Sequence, residues 1–177
     1  DYQAGFAIGQ LVGESHPAFP AYLGVEESDI AVGMERRRGV LDGLKSCSIQ
    51  DVRIFQGDYT YESGQEMTRR ALRSGPVDAL ICATDRLAYG AYRVLGEMGL
   101  SIPGDVSVTG FGGYDESALL TPSLTTLKFD SYTLGYLGAE TLLKLIQGEP
   151  VPQKQVVGFQ LIPGGSLRSD KKSGALS

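Results

Sequence analysis

Thiol and imidazole chemistry is scarce in this chain: among 177 residues it rests on Cys47, Cys82 and His16 alone. Two cysteines cannot build a disulfide framework, their spacing fits no metal site, and one histidine cannot make a multi-histidine centre. The sequence therefore argues against zinc and against Cys/His catalysis. Long apolar runs are also missing. No stretch approaches the roughly eighteen uninterrupted apolar residues of a membrane span, and Asp1-Tyr2-Gln3-Ala4-Gly5 has neither a basic region nor an apolar signal core. The expectation is a soluble, cytoplasmic chain, or one whose targeting segment has been removed. Positive charge is in deficit as well. Sixteen Lys+Arg against 21 Asp+Glu give a formal net charge of −5, which repels a polyanion and disfavours nucleic-acid binding by this segment alone.

Glycine, by contrast, is abundant. Its 24 residues are about twice the roughly 7% of an average protein and have no Gly-X-Y period, so they predict many tight turns and helix ends. With 42% hydrophobic residues there is material for one sizeable core or two small lobes. Between Pro20 and Leu127, short apolar runs alternate with amphipathic stretches, the pattern of a mostly parallel α/β sheet with helices on both faces. The predicted strands are Ala21–Val25, Val52–Phe55, Ala79–Ala83, Val106–Phe111 and Thr125–Phe129, with helices over about 32–46, 60–74, 86–98 and 115–120. Asp85 is placed to cap the helix that opens at Arg86, and Gly75-Pro76 and Gly99 are placed to stop helices. Two end pieces sit outside this scheme: a helix over 3–13 with no strand ahead of it, and a helix over 131–147 followed by a strand at Val156–Ile162.

Ligands of a doubly wound sheet bind beyond the carboxyl ends of its strands. That rule selects the loops Glu26–Arg36, Gly57–Glu62, Thr84–Arg86 and Gly110–Glu116, which offer Asp29, Arg36, Asp58, Tyr59, Thr84, Asp85 and Tyr114. Carboxylates, hydroxyls, aromatic faces and one fork-shaped donor together make sugar-binding chemistry. Arg36 is placed in the first turn of a helix, where the macrodipole disfavours a cation; either it holds hydroxyls or a phosphate bidentately, or it pairs at the surface with Glu35 or Asp29. Successive helical residues lie about 100° apart, so Arg36, Arg37 and Arg38 cannot all face one pocket. Tyr59 either stacks on a sugar ring or serves core or dimer packing. Thr84 is the better candidate to face a ligand, with Asp85 kept for capping. Cys82 reads as a small core residue and His16 as a turn residue ahead of Pro17. Enzyme signatures are absent: Gly110-Phe111-Gly112-Gly113 has the wrong spacing for a dinucleotide fingerprint, and neither a Walker-type loop nor a Gly-x-Ser-x-Gly elbow occurs. No catalytic residue, cofactor or metal is expected.

Several stretches resemble the LacI/GalR family of bacterial transcription repressors. They are Ile102-Pro103-Gly104-Asp105-Val106-Ser107-Val108-Thr109-Gly110-Phe111, then Thr121-Pro122-Ser123-Leu124-Thr125-Thr126-Leu127, and Ala83-Thr84-Asp85-Arg86-Leu87-Ala88-Tyr89-Gly90-Ala91. Arg36-Arg37-Arg38-Gly39, Leu134-Gly135, Gly148 and Gly164-Gly165-Ser166 complete the series, and Leu23-Gly24-Val25 with Ser28-Asp29 and Gly33 looks most like the trehalose and sucrose repressor branch. The resemblance implies a periplasmic-binding-protein-like core of two Rossmann-like lobes with the effector between them. On that basis residues 1–18 are expected to be a remnant of the amino-terminal lobe, 19–130 the carboxyl-terminal lobe, 131–167 a crossover helix and strand, and 168–177 a loose polar tail, with the second lobe largely missing.

The resemblance also implies ligand-binding roles for Arg36, Tyr59, Thr84 and Asp130, the last beside Phe129 and Ser131, to which the strand-end loops add Asp29 and Tyr114. Gly112 departs from the pattern, because many members carry there an aspartate that chelates sugar hydroxyls; Tyr114, Asp115 or a water is the expected substitute. The implied partners are a sugar or sugar phosphate, a second copy of this lobe, and operator DNA through a helix-turn-helix headpiece outside this chain, with no membrane. The dimer contact is expected on the helices near 62–73 and 86–97 and on Ser117–Pro122, where Met67, Leu72, Leu87, Tyr92 and Leu95 are the available apolar side chains, some of them core instead. The competing readings are a periplasmic sugar-binding protein of a transporter and a sugar-phosphate-processing enzyme of the same fold.

Overall fold

The computed structural model describes residues 1–153 and 155–169. The apolar runs become a six-stranded sheet: β1 (Pro20–Val25), β2 (Arg53–Gly57), β3 (Ala79–Cys82), β4 (Ser107–Gly112), β5 (Thr125–Phe129) and β6 (Phe159–Ile162), in the order β2-β1-β3-β4-β5-β6. Every neighbouring pair is parallel except β5–β6, which is antiparallel. Leu23 lies opposite Phe55 on one side and Cys82 on the other, so β1 is central and fully buried. A strand covered on both faces needs apolar residues throughout, which is why these runs do not alternate.

The helices are α1 (Tyr2–Gly13), α2 (Arg37–Ser46), α3 (Tyr61–Arg73), α4 (Asp85–Glu97), α5 (Asp115–Leu119) and α6 (Ser131–Ile146). The chain steps outward from β1 to β2, then returns past β1 to β3 and onward. Right-handed crossovers across that reversal put α2 on one face of the sheet and α3 and α4 on the other. Strand order therefore reverses between β1 and β3, and the loops after those strands open on a common crevice.

The structure departs from the sequence expectations in four places. The helix expected over 32–46 begins as a π-helical turn, Ile30–Arg36, capped by the Asp29 carboxylate on Val32 N–H at 2.8 Å. The strand expected at Val156–Ile162 forms only over Phe159–Ile162. Residues 1–18 do not stand apart from the lobe: Ala4, Ile8 and Val12 join the same buried core as Val40 and Leu44. The reason is glycine used for contact rather than for turns. A Cβ at Gly5 of α1 would fall on the Arg36 carbonyl just ahead of α2, one at Gly9 of α1, or at Gly39 or Gly43 of α2, would fall on the other helix's backbone, and Gly64 and Gly90 serve the α3–α4 pair in the same way. Finally, the start of the expected tail is anchored. Ser166 Oγ accepts from Thr125 N–H at 2.8 Å and donates to the Val108 carbonyl at 2.6 Å, and Arg168 donates to the carbonyls of Pro103, Gly104 and Asp105. Residues 170–177 of that tail lie outside the described residues.

Candidate functional site

Arg36 ends the π-helical turn and points inward, 7% exposed. It does not sit at the start of an exposed helix, and its ion-pair partner is Asp1 rather than Glu35 or Asp29. Its Nε donates to Asp1 Oδ1 at 2.9 Å, Nη2 donates to the same oxygen, and Nη1 donates to the Ala83 carbonyl at 2.6 Å. The guanidinium carbon lies 4.7 Å from the Phe111 ring centroid and 5.4 Å from that of Phe129, distances at which aromatic faces stabilise a cation. Thus the loop after β3, with β4 and β5, holds one arginine at the reversal of strand order. Arg37 and Arg38 turn away as helix geometry requires, the first pairing with Glu27 at 2.5 Å and the second with Glu35 at 2.9 Å. Burial lowers the Arg36 pKa, opposed by Tyr22, Tyr59, Asp29 and Tyr114 around it.

Asp29, Tyr59 and Tyr114 gather at this rim, while Asp130 lies at the start of α6. Asp29 accepts a short hydrogen bond from the Tyr59 hydroxyl, tying the loop after β1 to the loop after β2. That bond, with Val32 N–H behind it, holds the Asp29 carboxyl below its usual range, while burial and Asp29 push the Tyr59 hydroxyl up to about 12. Tyr114 is 55% exposed, and its ring fills the space that a side chain at Gly112 would take: a Cβ there would lie 2.8 Å from Tyr114 Cε2. Gly112 has φ +145°, a conformation L side chains rarely adopt, so the carboxylate of the family pattern has no room in this loop. Asp130 caps α6, accepting from Thr133 N–H at 3.0 Å and from its hydroxyl at 2.6 Å, and these bonds lower its pKa. It borders a groove of about 650 Å³ between the start of α6 and the 156–160 segment.

The cap of α4 falls to Thr84 rather than to its neighbour Asp85. Thr84 caps α4 by accepting from Leu87 N–H at 3.3 Å, which leaves its hydroxyl proton available to a ligand. Asp85 is completely buried and serves as an acceptor hub. Its Oδ1 takes the Thr126 hydroxyl at 2.5 Å; its Oδ2 takes the Ser117 hydroxyl at 2.8 Å and the Tyr114 N–H at 3.2 Å. Thr126 Oγ1 in turn accepts from Gly113 N–H at 3.3 Å, so Asp85 fixes the loop that presents Tyr114. The sequence reading missed this hub and the ring of Phe111. A carboxylate inside a run of buried residues, facing Gly110, is the signal that could have found the first.

Some of the apolar residues on the expected dimer helices belong to the core, as expected. Met67, Leu87 and Leu95 are consumed by the lobe's own core, and Leu72 and Tyr92 are packed against it, Tyr92 also donating to the Pro122 carbonyl at 2.9 Å. Cys82 is buried, as expected, and burial pushes its thiol pKa up. His16 takes φ +48° in the turn before Pro17. Among the described residues no cluster of His, Cys, Asp and Glu could hold a metal, and no helix is long and apolar enough to cross a membrane.

A mostly parallel sheet whose strand-end loops converge on one buried arginine defines a doubly wound α/β lobe. The chain belongs to the periplasmic binding protein-like domain family, whose model matches residues 8–167, in the form carried by LacI-type regulators. Over 152 residues it is 36% identical to the HTH-type transcriptional regulator GntR of Escherichia coli strain K12, covering 83% of this chain and 45% of that protein. Over 161 residues it is 29% identical to the sucrose operon repressor of Staphylococcus xylosus, covering 90% and 50%. The solved structure of the lac repressor dimer bound to operator and the anti-inducer ONPF superposes with a TM-score of 0.88 at 28% identity, over 95% of this chain and 59% of that one. The chain spans about half the length of these curated relatives.

Proposed function

We propose that this chain is the carboxyl-terminal lobe of the effector-binding core of a sugar-responsive transcriptional repressor, with a sugar or sugar phosphate as effector. The observation that carries the reading is Arg36, a buried guanidinium at the reversal of strand order, ringed by Phe111, Phe129, Asp29–Tyr59 and Tyr114. Aromatic faces suit the apolar face of a sugar ring, and the fork of N–H donors suits vicinal hydroxyls or a phosphate. In this reading Asp29, Arg36, Tyr59, Thr84, Tyr114 and Asp130 line this lobe's half of the cleft. The other half, and the operator contact, belong to parts of the protein outside this chain. The relatives support it, being named as regulators and repressors rather than enzymes.

Regulation then follows from linkage. An effector that prefers one arrangement of two lobes shifts the population toward it, and in a homodimer joined through this lobe that shift moves the DNA-binding headpieces relative to each other. Calorimetric titration of the full-length protein with trehalose, sucrose, fructose and their phosphates tests the reading. One of them should bind, Arg36→Ala should weaken it at least tenfold, the loss of about 1.4 kcal/mol or more expected of a charge-assisted contact, and operator affinity should change in its presence. Binding that ignores Arg36→Ala, or that leaves operator affinity unchanged, would overturn it.

A further inference from the structure

Two buried hydroxyls, those of Tyr22 and Thr109, have no hydrogen-bond partner among the described residues. Thr109 lies within β4, short of its end at Gly112. Tyr22 is different because of where its ring runs. It is 1% exposed in β1, and its ring lies along the strand over Gly24, where a Cβ would come within 2.5 Å of Tyr22 Cε1 and 3.4 Å of Cζ. That path carries the hydroxyl toward the carboxyl end of β1. There strand order reverses between β1 and β3, and Arg36 is anchored at the same point through the Ala83 carbonyl. Among its charged and titratable neighbours Arg36 acts most strongly on Tyr22, ahead of Arg37, Cys82 and Tyr59, and burial raises the phenol's pKa, so the group stays a protonated donor.

A buried hydroxyl without a partner is costly, and its position in the ligand crevice supplies a reason to keep it. We propose that Tyr22 is an effector-binding residue: its hydroxyl and the remaining N–H groups of Arg36 converge on one acceptor oxygen of the bound sugar. The assignment rests on the sugar-binding reading above. A guanidinium has five N–H donors; the bonds to Asp1 and Ala83 leave a second N–H on each terminal nitrogen. Both groups donate, so the ligand atom between them is an acceptor, whether a sugar hydroxyl or ring oxygen or a phosphate oxygen.

The test is titration of the full-length protein and its Tyr22→Phe variant with sucrose, trehalose, fructose and their phosphates, beside thermal melts without ligand. The sugar that the unsubstituted protein binds should be held about three- to tenfold more weakly by Tyr22→Phe, the loss of one hydrogen bond. The unliganded melting temperature should be unchanged or raised, since the deleted hydroxyl had nothing to bond. A loss confined to phosphorylated sugars assigns the oxygen to phosphate; a loss shared by the free sugar assigns it to the sugar itself. Equal affinity in both proteins overturns the role of Tyr22 and leaves the sugar reading standing. A clear fall in the unliganded melting temperature also overturns it, because the hydroxyl would then be bonded within the fold. No binding by the unsubstituted protein overturns the sugar reading and this assignment with it.

Discussion

Asp85 is a buried acid whose carboxylate gathers three donors from two other segments: Thr126 on β5, Ser117 on α5 and the Tyr114 N–H before it. Gly110 makes this possible, because a Cβ there would fall on the carboxylate. Replacing Asp85 with alanine removes the acceptor of two buried hydroxyls, of which Ser117 keeps only Tyr89 as a partner, and frees the 112–114 loop. Asp85→Ala should cost about 3 kcal/mol in urea denaturation, the scale of several buried donors losing their acceptor at once. A loss under about 1 kcal/mol, the scale of one exposed cap, would show that the hub is not the role of this residue. Thr84 and Asp85 also mark the limit of reading single residues from sequence. Both types cap helices well, and nothing local says which of two neighbours takes the cap. The decision is made by Gly110, Ser117 and Thr126, far away along the chain. Arg36 was legible as a functional candidate because a cation there lacked a local justification, yet its true neighbours Phe111 and Phe129 come from β4 and β5 and Ala83 from the loop after β3.

At the scale of elements, strands were easier to read than helices. Strands buried on both faces must be apolar throughout, so β1, β3 and β4 announce themselves as short continuous runs. The π-helical turn over Ile30–Arg36 gives no comparable signal, since the extra residue in its turn reflects how Asp29 and Gly33 pack: a Cβ at Gly33 would strike the backbone of Glu26. Helix-to-helix contact is the other non-local feature, and it explains many of the glycines that looked like turn residues. Contrasting substitutions expose it. Gly43→Ala in α2 would set its Cβ 2.7 Å from Gln10 N on α1, so despite a gain in helix propensity it should destabilise the protein by about 1–3 kcal/mol. Gly96→Ala in α4 meets nothing within 4 Å and should stabilise it by about 0.5–1 kcal/mol. Thermal or urea unfolding of the two variants decides the matter, and shifts of the same sign would refute the seam.

At the scale of the whole molecule the odd element is α6. Its sequence carries an apolar stripe, yet no residue of it is buried, and Leu134, Leu142, Leu143, Leu145 and Ile146 are each more than half exposed. A helix with apolar side chains around most of its circumference is built for an interior. Under the proposed reading that interior is the other lobe of the core, into which α6 extends before β6 returns to pair with β5. The 177-residue chain by itself then presents an apolar surface larger than solvated monomers usually tolerate. It should self-associate with rising concentration in analytical ultracentrifugation, and Leu142→Lys with Ile146→Lys, one turn apart on one face, should return it to a monomer without lowering its melting temperature. In the full-length protein the same pair should instead destabilise, by about 2 kcal/mol or more per side chain, because there each would force a charge into an apolar contact. Association that the lysines leave untouched would move the self-contact to another surface, and a full-length protein indifferent to them would show that α6 stays in solvent there too.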